Sequence, residues 1–462
     1  MLDRTPATWR VMWMVPVVVA GIVVAEGCAY SDAARRRTML EEIGRLESER
    51  PGGAGGEVAL GDPMDRAQLV HAVLARNPNV DAALHAWRAV VERQPQADAL
   101  PDPRLEYSFA PLSIGAQNVD YGQVITVRQE FPFPGRLSLR SAVAIAEAAA
   151  AREDYATVRL QLAVMAAQLY DALYTIERAL EINDEHQRLL EDVRSTALDQ
   201  LTAGRANQDA PLQAELDLRR VQLDRIQLVA QLSVVRARLN GLLHRPPESQ
   251  LPATVERLDV TGETLPSSAA LQALALDGRP ELRAAGHRVD ARDAARELAE
   301  HEQLPDFGVM ASYNSMWGSL EHQLMVGVSI TVPLQIDAHV AAVREQDARA
   351  AEARSRREAV EDRIRVEVEE ARAHLVHARG TLTLIEGRML PTARDQLEAA
   401  RAAYVTGRGT FQPVIDAERS LRTLELERLR AEADLHTAEA DLLRAIGAVP
   451  GVDSLSEMGG AR

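Results

Sequence analysis

The stretch that decides the fold runs Leu324-Met325-Val326-Gly327-Val328-Ser329-Ile330-Thr331-Val332-Pro333. Leu324, Val326, Val328, Ile330 and Val332 fall on every second position, and Met325, Gly327, Ser329 and Thr331 lie between them. A period of two is the alternation of a strand with one apolar face. Just upstream, Phe307, Val309, Ala311, Tyr313 and Trp317 alternate with Gly308, Ser312 and Asn314, so strands near 307–317 and 321–333 are expected to form a hairpin. The arrangement occurs once before. Leu100-Pro101-Asp102 leads into Leu105, Tyr107 and Phe109, and Tyr121, Ile125 and Val127 alternate up to Phe131 and Pro132, giving strands near 104–110 and 119–131. The chain is an internal repeat.

Working outward, nearly everything else reads as helix. Short helices are expected over Arg66–Arg76, ending at Asn77-Pro78, and over Val80–Ala99, with Arg279-Pro280 and Glu281–Gln303 as their counterparts. Each strand pair is followed by a very long helix, about Leu137–Leu201 and Ala338–Ala403. At 1.5 Å per residue each spans roughly 100 Å. Ile364, Val368, Ala371, Leu375, Ala378, Leu382, Ile385 and Met389 step by alternate fours and threes, as do Val158, Leu162, Met165, Leu169, Leu173, Ile176 and Leu180. These are heptad seams of helices packed side by side. The returning helices offer Leu421, Leu424, Ala431, Leu435, Ala438, Leu442 and Ala445, and Leu216, Leu223, Ile226 and Ala230.

The turns are at Gly204 and Gly407, where glycine supplies a left-handed C-terminal residue, and Asn207 and Thr410 are candidate N-caps. The returning helices are expected to stop at Gly241 and Gly447. Pro391, four residues after Gly387, removes a helix bond and is expected to bend the second long helix; a fixed kink is the plainer reading.

Composition narrows the function. The 462 residues are 46% hydrophobic but only 4% aromatic, which favours closely packed helices. The net charge of -16 disfavours a nucleic-acid partner. Arg4 and Arg10, the apolar run Val11–Ala25 and Gly27 before the single Cys28 have the layout of an export signal. Cys28 resembles the lipidated cysteine of bacterial lipoproteins, although Ala25 and Glu26 depart from that pattern and a different cleavage site is the alternative. The reading divides the chain into a signal peptide (1–27), a lipidated linker with little structure (28–64), a first repeat (65–245), a linker (246–278), a second repeat (279–447) and a flexible tail (448–462).

Four strands, each with one apolar face, suit an outer-membrane barrel but cannot close one, and open edges cannot face lipid. Three copies would supply twelve strands over a sheaf of helices. On this reading Tyr107, Phe109, Tyr313 and Trp317 meet lipid, and Ser108, Thr126, Ser329 and Thr331 line water. A soluble four-stranded sheet covered by helices is the alternative.

The repeated strand pair plus long hairpin, with Gln129-Glu130-Phe131-Pro132-Phe133-Pro134-Gly135-Arg136, resembles the TolC family of outer-membrane efflux proteins, and is most similar to its heavy-metal cation branch. The resemblance implies a mainly α chain with a small β part. It also implies a homotrimer: a 12-stranded outer-membrane β-barrel continued by a periplasmic α-helical barrel. Such a passive duct, conferring heavy-metal resistance or exporting drugs, docks on a periplasmic adaptor fed by an inner-membrane RND-type pump. In the family a tyrosine three before the turn glycine and two aspartates after it close the periplasmic gate. Here Tyr404 and Asp416 match, and Pro413 replaces the first aspartate. The alternative for Asp416 is a solvated carboxylate near a helix N-terminus. The turns, with Gly204, Arg205, Gly407 and Arg408, are the implied adaptor contacts.

Chemistry has no candidate. His374 and His377 are three apart on a helix, and His301, His322 and His339 lack ligand partners. No phosphate loop or nucleophile elbow is present. We expect no enzyme activity, no cofactor and no bound metal; a coiled-coil envelope scaffold is the reading from another class.

Overall fold

A computed structural model of the chain describes residues 14–50, 60–115, 122–204, 207–255, 265–317 and 323–450. It divides into two compact units. The first takes Met1–Glu49, Ala83–Tyr155 and Glu281–Val360, and the second Arg50–Ala82, Ala156–Pro280 and Glu361–Arg462.

The first unit holds one antiparallel sheet of four strands in sequence order: β1 (Arg104–Phe109), β2 (Gln123–Phe131), β3 (Asp306–Asn314) and β4 (Leu324–Thr331). The two hairpins pair through β2 and β3, with Ile125 opposite Tyr313 and Phe131 opposite Phe307. Arg136, almost fully buried, fixes the sheet's base. Its guanidinium donates to both oxygens of Asp306 (2.6 and 2.7 Å) and to the carbonyls of His301 and Leu304 (2.9 Å each). The strand-end motif of the first repeat thus clamps the Leu-Pro-Asp entry of the second.

Helix α1 (Met14–Ser48) includes the segment 29–48, which the sequence led us to expect unstructured. Its charges are satisfied at a distance: Arg36 bonds Glu92, Glu47 accepts from Arg88 (2.7 Å) and Glu42 from Arg152 (2.8 Å), around a buried Ile43. Long-range ion pairs of this kind leave no local period to read. In chain order follow α2 (Arg66–Arg76), α3 (Pro78–Val91) and α4 (Gln94–Ala97). The expected single helix Val80–Ala99 is broken because Pro95 has no N–H for the Val91 carbonyl.

The long elements are α5 (Arg136–Thr202), α6 (Asp209–Leu242), α7 (Ser268–Gly278), α8 (Pro280–His301), α9 (Ile336–Leu384), α10 (Leu390–Val405) and α11 (Gln412–Ala445). In the second unit the α9 and α11 seams are buried as expected, with Ile364, Val368, Leu375, Leu435 and Leu442 at 1% exposure or less. The repeat shows in a matching pair of buried caps. Asn77 donates to the carbonyl of Leu242 (3.0 Å), and Arg279 to the carbonyl of Ala445 (3.4 Å).

Several expectations are corrected. Met389 is 38% exposed and Leu390 takes its buried place, because a π-helical turn at Ile385–Met389 uses five residues where the heptad has four. Beyond it the seam resumes at Leu390, Ala393 and Leu397, one position out of phase. In α5 Met165 is exposed, and the seam runs through Ala163, Tyr170, Tyr174 and, lower down, Asn183, His186 and Leu190. The stripe assigned to α6 is exposed: Leu216, Leu223 and Ile226 point away from the chain, which buries Ala214, Leu218 and Val221 instead. No side chain caps α6 or α11, whose N-cap residues are Gln208 and Phe411 rather than Asn207 and Thr410. Gly241 is helical, and the left-handed residue after α6 is His244.

Candidate functional site

The sheet register sorts its residues into two faces. Leu105, Tyr107, Ile125, Val127, Val309 and Tyr313 share one face with Leu324, Val326, Val328 and Ile330. That face is apolar and unusually open: Val326 is 74% and Val328 75% exposed. The other carries Arg104, Glu106, Ser108, Thr126, Arg128, Glu130, Ser312, Ser329 and Thr331, with Thr126 bonding Ser312 across the pair (3.3 Å). Period-two alternation combined with register therefore gives one oily and one hydrophilic surface, as a wall between lipid and water requires. Among the described residues β1 and β4 each have one neighbour, so both outer edges are open. Among the described residues no helix is long and apolar enough to cross a membrane.

The hairpin turns lie in the second unit. Gly204 and Gly407 have φ of +70° and +69°, the left-handed conformation expected of them. Arg205 lies outside the described residues, and Arg408 is exposed. Tyr404 is turned inward, edge-on to Phe411 with ring centroids 5.4 Å apart. Burial, then the charge of Asp209, raises its phenol pKa. Asp416 is exposed and accepts from Gln412 Nε2 (2.9 Å). Arg419 stands 3.8 Å from it, but that guanidinium is taken by buried Asp217 through two 2.8 Å bonds. At the π turn Leu390 N–H bonds the Ile385 carbonyl. The turn sits where Pro391 cannot donate to the Gly387 carbonyl.

Two buried polar clusters escaped the sequence reading. His186 on α5 lies between Glu418 and Glu425 of α11, with Nδ1 2.9 Å from the first and Nε2 2.8 Å from the second. Burial alone would lower its pKa; the two carboxylate bonds and charges overcome that and push it up to about 9. Arg394 also reaches Glu425 (3.3 Å). Deeper, Asp171 is pushed up to about 6 by burial, against the pull of Arg66 (2.9 Å) and His436. The available signal was polar residues at seam positions of α5, where Asn183 and His186 continue the threes and fours of Ile176 and Ala179 on to Leu190. His374 and His377 are exposed, His339 is half-buried, and His301 Nδ1 contacts the Glu297 carbonyl. His322 lies outside the described residues. Among the described residues no three potential ligands gather to hold a metal ion.

Residues 271–448 match the family model described as outer membrane efflux protein. No curated protein matches the chain. The fold is that of solved channels. CusC, from a study of folding and transmembrane channel formation, superposes with a TM-score of 0.72 at 20% identity, covering 87% of this chain and 98% of that one. The outer-membrane channel OprN gives the same values. The open MtrE channel of Neisseria gonorrhoeae gives 0.70 at 19%, covering 86% and 94%. The second repeat thus matches the outer membrane efflux family over residues 271–448, and the chain has the fold of these solved channels.

Proposed function

We propose that the chain is one third of a passive export duct, a homotrimer whose twelve strands close a barrel in the outer membrane and whose helices continue it into the periplasm. The observation that carries this is the four-stranded sheet with an exposed apolar face and two open edges. In lipid each unpaired backbone group costs several kcal/mol, so the edges must be met by strands, and the sheet is too narrow to curl on itself.

In the proposed assembly the turns at Gly204-Arg205 and Gly407-Arg408 meet a periplasmic adaptor, and a proton-driven inner-membrane pump of the RND type supplies the energy. Cys28 would add a lipid anchor. Three copies of Asp416 would ring the aperture and attract cations. Tyr404 would support that ring from behind through Phe411, and the turn at Gly387–Pro391 would let the second hairpin straighten. The strand-end motif favours heavy-metal cations as cargo.

The test is export from a strain lacking the gene, complemented in trans, with purified protein reconstituted in planar bilayers. Restored tolerance to divalent metal salts together with ion conductance supports the reading. Restored tolerance to drugs but not metals moves the cargo, and the absence of conductance removes the duct in favour of a scaffold.

A further inference from the structure

A cavity of about 290 Å³ opens within the second unit, where α5 and α6 of the first repeat meet α11 of the second. Its wall is apolar: Ile176, Ala179 and Ile182 come from α5, Leu228 from α6, and Leu426 and Leu429 from α11. Ala179 leaves the space, being the smallest residue of the α5 seam between Ile176 and His186.

The polar groups of the cavity sit at its two ends. At one end Asn183 spends its side-chain N–H on the Val221 carbonyl (3.0 Å), and Arg422 is held by Asp224 (3.1 Å). Asn183 is 5% exposed, and its Oδ1 has no hydrogen-bond partner among the described residues. A buried carbonyl oxygen left in this way costs free energy that an incoming O–H or N–H recovers. The other end lies about 12 Å along α11, at Arg430, level with the bond from Tyr174 to Glu432 (3.1 Å). There Arg430 and Gln231 stand exposed at the mouth, and neither side chain has a partner among the described residues.

We infer that this cavity binds a small amphipathic acid. Its body is a single ring, its hydroxyl or N–H donates to Asn183 Oδ1, and its carboxylate meets the Arg430 guanidinium. Sites for small molecules are mostly apolar with a few convergent polar groups, and a volume near the lower end of their range, about 300 Å³, limits the occupant to one ring. A guanidinium grips a carboxylate through two parallel bonds, which sets the direction of the molecule in the cavity. A cationic ligand is disfavoured, because the carboxylate that lines the wall, Asp224, is already taken by Arg422. The occupant touches α5, α6 and α11 together, so it holds the first repeat to the second and stabilises the folded chain by mass action. The site is complete within one chain and does not depend on the assembly proposed above.

The experiment titrates the purified full-length protein in detergent with 4-hydroxyphenylacetate by isothermal calorimetry, beside phenylacetate, which lacks the hydroxyl. The same titrations are run on Arg430→Gln, an exposed position, and on Ile182→Trp, whose indole fills the cavity. The expected result is saturable, sub-millimolar binding of one 4-hydroxyphenylacetate per chain and a raised thermal midpoint. Binding should weaken roughly tenfold for phenylacetate and for Arg430→Gln, about the worth of one charge-assisted or buried hydrogen bond, and vanish for Ile182→Trp. No saturable heat from the native chain would overturn the inference, as would equal binding by the native chain and Arg430→Gln. If melting curves show that Ile182→Trp does not fold, the Arg430→Gln and phenylacetate comparisons decide alone.

Discussion

Consider His186→Gln. In the native chain the imidazole is enclosed, 4% exposed, and both nitrogens face carboxylates, Glu418 and Glu425. Its pKa is lifted from 6.5 to about 9. A unit of pKa shift corresponds to about 1.4 kcal/mol, so the bound proton contributes on the order of 3 kcal/mol to the contact between α5 and α11. The sign follows from the direction. A raised folded-state value gives stability that is complete below pH 6.5 and is lost, at about 1.4 kcal/mol per pH unit, until pH passes about 9. On the acid side Glu425, whose pKa is lowered from 4.5 by its bonds to His186 and Arg394 despite burial, loses its share as pH falls below that value. Glutamine cannot take the proton and reaches one carboxylate only, leaving either Glu418 without its donor or Glu425 with Arg394 alone. The assay is the thermal midpoint of the purified protein and of the variant, measured from pH 5 to 10. The variant should melt several degrees lower at pH 6 and the gap should narrow as pH rises towards 9. A gap that is unchanged across that range would refute the protonated bridge.

Other substitutions test other parts of the account. Val328→Arg places a charge on the open apolar face and should cost about 2–4 kcal/mol at the bilayer midplane, seen as loss of assembled protein in outer-membrane fractions. Thr331→Arg, on the hydrophilic face, should leave assembly intact. Gly278→Ala drives a methyl into the Ile446 carbonyl and should destabilise by about 1–3 kcal/mol, whereas Gly286→Ala, in open space within α8, should stabilise by about 0.5–1 kcal/mol; thermal melts distinguish the signs. Asp416→Asn should weaken block of single-channel current by divalent cations added on the periplasmic side, and unchanged block would remove Asp416 from the aperture.

Much of the architecture was legible because it is periodic. Alternation at Leu324–Val332 gave both sheet faces, and the fours and threes of Ile364 to Ile385 gave the core of the second hairpin. The failures share a cause, since period alone does not say what a stripe packs against. The α6 stripe has a good heptad and was assigned to the chain's own core, yet it is outward. The π turn stayed hidden because Met389 and Leu390 are both apolar and only packing chooses between them. His186 was overlooked because a seam continued by polar residues reads as a seam that has stopped. At the turns, Gly204 and Gly407 were read from local conformation, while the neutralising pair of Asp217 with Arg419 depends on residues about two hundred positions apart.

The central claim is that one chain supplies a third of a closed wall. Native mass spectrometry of the detergent-released protein tests it directly. The account predicts a particle of three chains that survives dilution. A stable single chain, folded and monodisperse, would contradict it, because β1 and β4 would then have to end their sheet unaided.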